Sequence, residues 1–353
     1  MATAKPARAA SGVDPREFHR TTIVIDALGG GLMAPGPGGS KPPFWQWKEG
    51  GLTALNVTVV ARFARFLEAL RAIYASHTIL EAYPEDLLLA RRGSDLARAH
   101  REGRTGVILG FQGAAAMEDD LTNLTIFHRL GIRIIALTYM ERNLLGDGCL
   151  EPENRGLTHL GRQAVCEMNR LGIVVDLSHV GERTSLDACE ISGAPVALTH
   201  SNPRRLCDSP RNVSDELIRA VARTGGVIGI TPYAPTLSPT PKAGTRSTME
   251  DLLRHIAYVV DMVGIEHVGI GTDMFEAKGA TEWNSTTKRR YPESVGAYEH
   301  ANLRTTGFES LSQWPAVTER LLAAGYSTED VAKIVGGNWA RVFARVWDSG
   351  PDL

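Results

Sequence analysis

The stretch GLTHLGRQAVCEMNRLGIVVDLSHVGERTSLDACEISGAPVALTHS (156–201) contains two consecutive pairs of a helix and a strand. Apolar residues recur at helical spacing over 159–171 and again over 182–191. Each of these segments is followed by a short run rich in apolar residues, 172–179 and then 195–201, which ends in polar side chains. This alternation is typical of a parallel sheet with helices packed against it.

The same pattern extends in both directions along the chain. Eight apolar runs of strand length can be distinguished, and helix-period segments fill most of the gaps between them. Eight consecutive βα units close most naturally into an α/β fold of the (β/α)₈ TIM-like barrel type. The predicted strands are 22–28, 52–59, 106–112, 132–139, 172–179, 195–201, 226–233 and 267–274, and the predicted helices are 60–75, 84–103, 118–130, 159–171, 182–191, 214–224 and 249–264.

The barrel pattern predicts a single domain over residues 1–353, since no linker divides the chain. Residues 1–18 are expected to form a flexible N-terminal extension. The segment 275–308, after the eighth strand, is longer than an ordinary connection, so we expect a lid or substrate-binding loop there. Two C-terminal helices are predicted after it, near 311–324 and 328–347.

Composition excludes several classes of function. The chain is 43% apolar and 22% charged, with a net charge of −2, so it can bury a large core and has no excess positive charge for nucleic acid. It has no apolar run long enough to span a membrane. The N-terminal residues 1–13 lack the apolar stretch of a secretory signal, and the four cysteines match no disulfide scaffold. We therefore expect a cytoplasmic protein that binds a small molecule or a peptide.

Polar side chains stand at the ends of the predicted strands, where a barrel places its reactive groups. Two imidazoles on neighbouring strands and a carboxylate on strand eight suit a zinc ion and an activated water. Cys149, in the loop GDGCLEP beyond strand four, is a further candidate on the same face. The strand-end residues are Asp26, Gln112, Tyr139, His179, His200 and Asp273.

Four motifs carry a resemblance to the renal, or membrane, dipeptidase family, peptidase family M19 of the amidohydrolase superfamily. They are GLTHLGRQAVCEMNRLGIVVDLSHVGERT (156–184), APVALTHSNPRRLCDSPRNVSDELI (194–218), HVGIGTDM (267–274) and IVGGNWARVF (334–343). The resemblance implies an amidohydrolase-type barrel that holds two zinc ions joined by a bridging carboxylate. It also implies hydrolysis of dipeptides or of related amides and lactams, and a homodimer.

The resemblance assigns roles to five residues of this chain. His179 and His200 match the two histidine ligands of the family's second metal. Asp273 matches the aspartate associated with proton transfer. Arg211 matches the arginine that binds the substrate carboxylate, a task suited to its planar guanidinium. Asn212 follows it as in the family and is expected to bind substrate as well.

Four positions depart from the family pattern. Leu28 and Gly30 stand where the family has the His-x-Asp pair that binds its first metal. Gln112 replaces the bridging glutamate, and its neutral amide can offer an oxygen to only one cation. Tyr139 replaces a histidine that contacts the reacting carbonyl. We therefore predict one metal per chain, zinc or another divalent transition metal, bound by His179, His200 and Gln112 or water.

Three functions remain open at this point. The first is a divergent metal-dependent hydrolase of the dipeptidase family, acting on a dipeptide or a small carboxylate-bearing amide with Asp273 and Tyr139 as catalytic groups. The second is a family member repurposed for another reaction on a small amine or amino-acid derivative. The third is a metal-free binding or scaffold barrel. Residues that could have been newly recruited are Tyr139, Glu141, Cys149 and Glu151, with Asp26 as a further possible ligand.

Overall fold

The computed structural model describes residues 12–32, 42, 44–238, 246–275, 280–296 and 298–351. Within them, eight strands form one continuous parallel path in the order β1-β2-β4-β5-β6-β7-β8-β9, and β3 pairs beside the first residues of β4. The strands are β1 Ile25–Gly29, β2 Ala54–Val60, β3 Leu87–Leu89, β4 Thr105–Phe111, β5 Ile132–Ala136, β6 Val174–Asp176, β7 Ala197–Leu198, β8 Val227–Ile230 and β9 Val268–Ile270.

The two ends of this path meet and close the barrel. Gly29 forms a parallel bridge with Met274, and the Gly30 N–H donates to the Met274 carbonyl at 2.7 Å. The Asp273 N–H donates to the Leu28 carbonyl, also at 2.7 Å. The predicted (β/α)₈ barrel is confirmed.

Helices surround the barrel and fill the intervals between strands. Those in the first half of the chain are α1 Pro15–Thr21, α2 Trp45–Glu49, α3 Phe66–Ala82, α4 Gly93–Glu102, α5 Thr122–Arg129, α6 His159–Leu171 and α7 Glu182–Ile191. Those in the second half are α8 Asp215–Arg223, α9 Ala234–Leu237, α10 Met249–Val263, α11 Ala280–Trp283, α12 Pro292–Val295, α13 Trp314–Ala323, α14 Thr328–Ala332 and α15 Asn338–Trp347. No helix in the described ranges is both long and apolar enough to cross a membrane.

Several predicted boundaries differ from the structure. The predicted helix 84–103 was wrong in its first part, because Leu87–Leu89 pairs with Thr105–Val107 as a strand and the helix begins at Gly93. The expected extension over residues 1–18 overlaps helix α1, and residues 1–11 lie outside the described ranges. The segment 275–308 contains α11 and α12, and its residues 276–279 and 297 are likewise not described.

The C-terminal helix α15 plugs the barrel at the N-terminal ends of its strands. Trp339, Phe343 and Trp347 are buried against strand residues such as Ile25 and Val174. The Trp339 indole N–H donates to the Ile270 carbonyl at 3.1 Å. A β-carbon at Gly269 would lie 2.2 Å from Trp339 Nε1, so glycine is required beside this ring. The opposite end, where the strands finish, is left for the loops and the cavity between them.

Candidate active site

A cavity of about 420 Å³ opens at the C-terminal ends of the strands. Because parallel strands all finish at the same end of a barrel, side chains far apart in sequence meet there. The structure brings six of the sequence-predicted site residues to this one cavity. They are Gln112, Tyr139, His179, His200, Arg211 and Asp273.

Three polar atoms converge at the centre of the site. The Nε2 atoms of His179 and His200 lie 2.9 Å apart, and the His179 Nε2 is 3.1 Å from the Gln112 Oε1. The Gln112 amide nitrogen donates to the Thr58 hydroxyl at 2.9 Å, and this hydrogen bond directs the amide oxygen toward the histidines. The His200 ring nitrogen and the Gln112 amide oxygen therefore both lie beside the His179 Nε2 atom.

A buried hydrogen-bond chain orients His200. The Thr199 hydroxyl donates to Asp176 Oδ2 at 2.6 Å, so its oxygen is free to accept from the His200 Nδ1–H at 2.8 Å. Asp176 Oδ1 is held in turn by the backbone N–H groups of Ser178 and Thr199. With Nδ1 protonated, the lone pair of His200 is on Nε2, which points at His179. A carboxylate behind a histidine is a common arrangement for metal-binding imidazoles.

Both imidazoles are held in their neutral form. Burial lowers the pKa of His179 well below its ordinary value, and the nearby Arg211 lowers it further. Burial and Arg211 lower the pKa of His200 in the same way. Neutral imidazole is the form of histidine that binds metals.

Two site residues adopt left-handed backbone conformations. His179 has a φ of 69° and Asp273 a φ of 52°, and Glu118 is the only other described non-glycine residue with a positive φ. Backbone hydrogen bonds hold both positions, since the His179 carbonyl accepts from the Cys149 N–H at 2.8 Å and the Asp273 N–H donates to the Leu28 carbonyl. Strain of this kind persists where the surrounding structure fixes a side chain in place, often at functional sites.

Arg211 is almost fully buried beside the histidines. Its Nη1 donates to the Ser201 hydroxyl at 3.0 Å and its Nη2 to the His200 carbonyl at 2.6 Å. These two bonds fix the plane of the guanidinium, and its other N–H groups stay available to a ligand. The side chain is thus preorganised to bind an anion.

Tyr139 covers one face of the His179 ring. The two rings stack with centroids 4.1 Å apart. Burial raises the pKa of Tyr139 above its ordinary value, and the negative charge of Asp273 raises it further. The phenol therefore stays protonated and can donate a hydrogen bond.

Four other sequence candidates lie outside the set of residues that line the cavity. Asn212 donates from Nδ2 to the Cys207 and Thr236 carbonyls, so it braces the loop that carries Arg211. Cys149 contributes its backbone N–H to His179, and burial raises the pKa of its thiol. Glu151 accepts from the Arg142 N–H at 2.7 Å. Glu141 forms a two-point ion pair with Arg290, at 2.8 and 2.9 Å.

Asp26 also lies away from the cavity and connects the first and last strands of the barrel. Its Oδ1 accepts from the backbone N–H groups of Thr272 and Leu28, at 2.9 and 3.2 Å. Its Oδ2 accepts from the Thr272 hydroxyl at 2.6 Å. With both oxygens occupied in this way, Asp26 closes the barrel and is a poor candidate for a metal ligand.

The buried carboxyl of Asp26 predicts a measurable pH dependence of stability. Burial raises its pKa from 3.8 to about 7, so between these values the folded state binds more protons than the unfolded state. Its contribution to the free energy of unfolding therefore falls as the pH rises from about 4 to about 7. We expect urea titrations to show that the free energy of unfolding of the native protein, relative to that of Asp26→Asn, is lower at about pH 8 than at about pH 5. An unchanged difference between the two proteins would contradict the prediction.

The cavity wall also contains residues that sequence reasoning missed, among them Trp47, Arg62, Tyr233 and Trp283. Tyr233 could have been predicted from the sequence, because it ends the predicted strand 226–233. Burial raises the pKa of Tyr233 above its ordinary value, as does the charge of Asp273. Arg62 lies two residues after the end of β2, while Trp47 and Trp283 come from helices α2 and α11. For these last two the sequence contains no periodic signal that points to the cavity.

Residues 49–291 match the sequence model of the Membrane dipeptidase family, Peptidase family M19. The chain belongs to peptidase family M19. The resemblance predicted from the four motifs is thereby confirmed. The M19 match begins after strand β1, so it does not include Leu28 and Gly30, two of the four positions at which the sequence analysis expects a departure from the family pattern.

Individual proteins similar to this chain include a dipeptidase and an amidohydrolase. The chain is 33% identical over 272 residues to Dipeptidase tcpJ of Claviceps purpurea, covering 76% of this chain and 58% of that protein. The chain thus spans less than two thirds of this relative's length. It is also similar to the crystal structure of an amidohydrolase from Pseudomonas aeruginosa, with a TM-score of 0.85 and 35% identity over 95% of this chain and 100% of that chain. These similarities confirm the amidohydrolase type of barrel.

Family M19 includes metallopeptidases, which implies a metal. Dipeptidase AC, described as a metallopeptidase of family M19, shares the fold at 23% identity and a TM-score of 0.77, over 93% of this chain and 99% of that chain. In the present chain the His179, His200 and Gln112 atoms fit one cation, because all three are neutral electron-pair donors and two of them lie within 3.1 Å of the third, His179 Nε2. The described residues contain no group of three or more His, Cys, Asp or Glu side chains that could hold a metal ion, so the donors of this site are limited to two imidazoles and a neutral amide.

Proposed function

We propose that this M19 protein is a hydrolase that uses one divalent metal ion, zinc or a related transition metal. Its substrate would be a dipeptide or a small amide that carries a carboxylate. The observation that supports this most strongly is the convergence of His179 Nε2, His200 Nε2 and Gln112 Oε1 in a cavity that Arg211 and Asp273 also line. A scaffold barrel would have no need of these five groups at one end.

The residues divide the work of hydrolysis among them. A bound metal would polarise the amide carbonyl and acidify a water molecule. Asp273, held in its left-handed conformation, would accept the proton of the attacking water and pass it to the departing amine. The Tyr139 phenol would donate a hydrogen bond to the carbonyl oxygen as negative charge develops there. Arg211 would fix the substrate carboxylate and thereby the position of the scissile bond.

A metal count followed by a substrate screen tests this proposal. Plasma emission spectrometry of the full chain should find one tightly bound metal, and a panel of dipeptides and N-acyl amino acids should include compounds that are hydrolysed. Protein without metal, even after incubation with zinc, would favour a binding or scaffold barrel. Metal with no amide hydrolysis would favour the repurposed family member, for which the Tyr139 side chain in place of histidine is the specific motive.

Arg211 provides a direct test of carboxylate binding. Arg211→Lys keeps the charge but loses the two-point geometry and the bonds to Ser201 and the His200 carbonyl, so kcat/KM should fall by about 100-fold. Most of this loss should disappear with amide substrates that have no carboxylate. The matched control is Arg204→Lys, since Arg204 bonds to the Asn212 carbonyl on the same loop but does not line the cavity. An equal loss of kcat/KM on substrates with and without a carboxylate would contradict the assignment of Arg211 as the carboxylate-binding residue.

A further inference from the structure

Arg62 places a second guanidinium in the cavity wall, at the end of strand β2. Its Cζ lies 5.2 Å from the centroid of the Tyr139 ring and 5.4 Å from that of Tyr291. It also lies 5.3 Å from the ring centroid of its neighbour Phe63. Aromatic rings thus surround this cation and supply weak attraction, but no negative charge.

Arg62 has no anionic partner among the described residues. Its Nε is buried and makes no hydrogen bond within the described ranges. The acid Glu141, whose pKa is lowered chiefly by its hydrogen bond to Arg290 and slightly by Arg62, is already held by Arg290 in a two-point ion pair. The Arg62 side chain is partly exposed, but a buried N–H group without a hydrogen-bond partner is costly, and an anion in the cavity would supply one.

Tyr139 connects Arg62 to the proposed reaction centre. One side of its ring neighbours the Arg62 guanidinium, and the ring also stacks on His179. Arg211 approaches the same centre through the His200 carbonyl. The two guanidinium groups therefore line the same cavity.

We infer that Arg62 binds a second anionic group of the substrate, so that the preferred substrates are amides carrying two carboxylates, such as dipeptides with an acidic residue. This inference rests on the proposed function for the position of the first carboxylate, at Arg211. Arg62 would act as a specificity-determining residue. Each charged hydrogen bond to a carboxylate contributes enough to change affinity by about 10- to 100-fold.

Calorimetric binding of N-acetylglutamate and N-acetylglutamine to the full chain tests the inference without requiring turnover. The two ligands have nearly the same shape and differ in one negative charge. The native protein should bind N-acetylglutamate about 10- to 100-fold more tightly. Arg62→Met should reduce this ratio to about one while leaving the affinity for N-acetylglutamine within about twofold, and Arg62→Lys should retain part of the ratio. Arg71→Met is the matched control. It removes the same charge as Arg62→Met, but from an exposed position on helix α3.

The outcomes separate this inference from the proposed function. Equal binding of both ligands by the native protein, or a ratio that survives in Arg62→Met, would overturn the role of Arg62. If the protein nevertheless contains metal and cleaves neutral dipeptides, the proposed hydrolase function is supported and only the role of Arg62 is rejected. A ratio that depends on Arg62 in a protein without metal or hydrolysis would support the anion site and overturn the hydrolase.

Discussion

Replacing His200 by alanine should release the metal and lower kcat/KM by on the order of a thousandfold. His200 is the better oriented of the two imidazoles, because Asp176 and Thr199 hold its Nδ1 side. Without it, only His179 and the neutral Gln112 amide remain, and two such donors cannot match a site of three. His179→Ala should have the same effect. The metal-to-protein ratio and the rate on the best substrate of the screen are the measurements.

A suitable control is His159→Ala, which removes an exposed histidine at the start of helix α6. It should leave both metal and rate unchanged. Circular dichroism and thermal melting should show that His200→Ala is folded. A folded His200→Ala protein that keeps a full equivalent of metal would mean that other residues bind it.

The second large effect is expected from Leu28→His, Gly30→Asp and Gln112→Glu combined. The three changes introduce the ligand types that the resemblance implies at these positions, so the metal content should rise from the proposed one toward two per chain. Position 30 can accept the aspartate, because a β-carbon there would meet nothing nearer than the Met274 carbonyl oxygen at 3.7 Å. Activity on dipeptides should rise by on the order of 100-fold, since a second cation would further stabilise the developing negative charge.

The matched comparison is the double variant Leu28→His and Gly30→Asp with Gln112 retained. A neutral amide cannot offset the repulsion between two cations, so the double variant should bind the second metal more weakly than the triple variant. Thermal melting is needed for both, because position 28 is buried. Native protein with two stoichiometric metals would contradict the single-metal proposal from the outset.

The barrel was predictable because its signal is local. Apolar runs and helical periodicity repeat along the chain, and the bounds of α6 and α7 agree with the predicted segments. Strand β3 was missed because its three leucines precede a helix and resemble its first turn. Only pairing with Thr105–Val107, across an intervening helix, distinguishes the strand.

The site was predictable where a strand end supplies the residue, and less so elsewhere. His179 and His200 terminate adjacent strands, so their meeting follows from the fold. The role of Asp26 depends on Thr272, which lies 246 residues away, and no local pattern shows that both of its oxygens are occupied. The Asp176–Thr199 support of His200 could have been suspected from a buried acid at a strand end. The chemical roles assigned to these residues stay predictions until the variants are measured.

The aromatic plug of helix α15 has a consequence for protein synthesis. Trp339, Phe343 and Trp347 are translated after all eight barrel strands, yet they fill the interior that those strands surround. While the ribosome is still upstream of residue 339, the nascent barrel has apolar strand residues open to water at one end. Such surface is prone to aggregation. The bonds that close the barrel all precede residue 339, but this end of it stays uncovered until the last helix is made, and a chain terminated before that helix would depend on chaperones to remain dispersed.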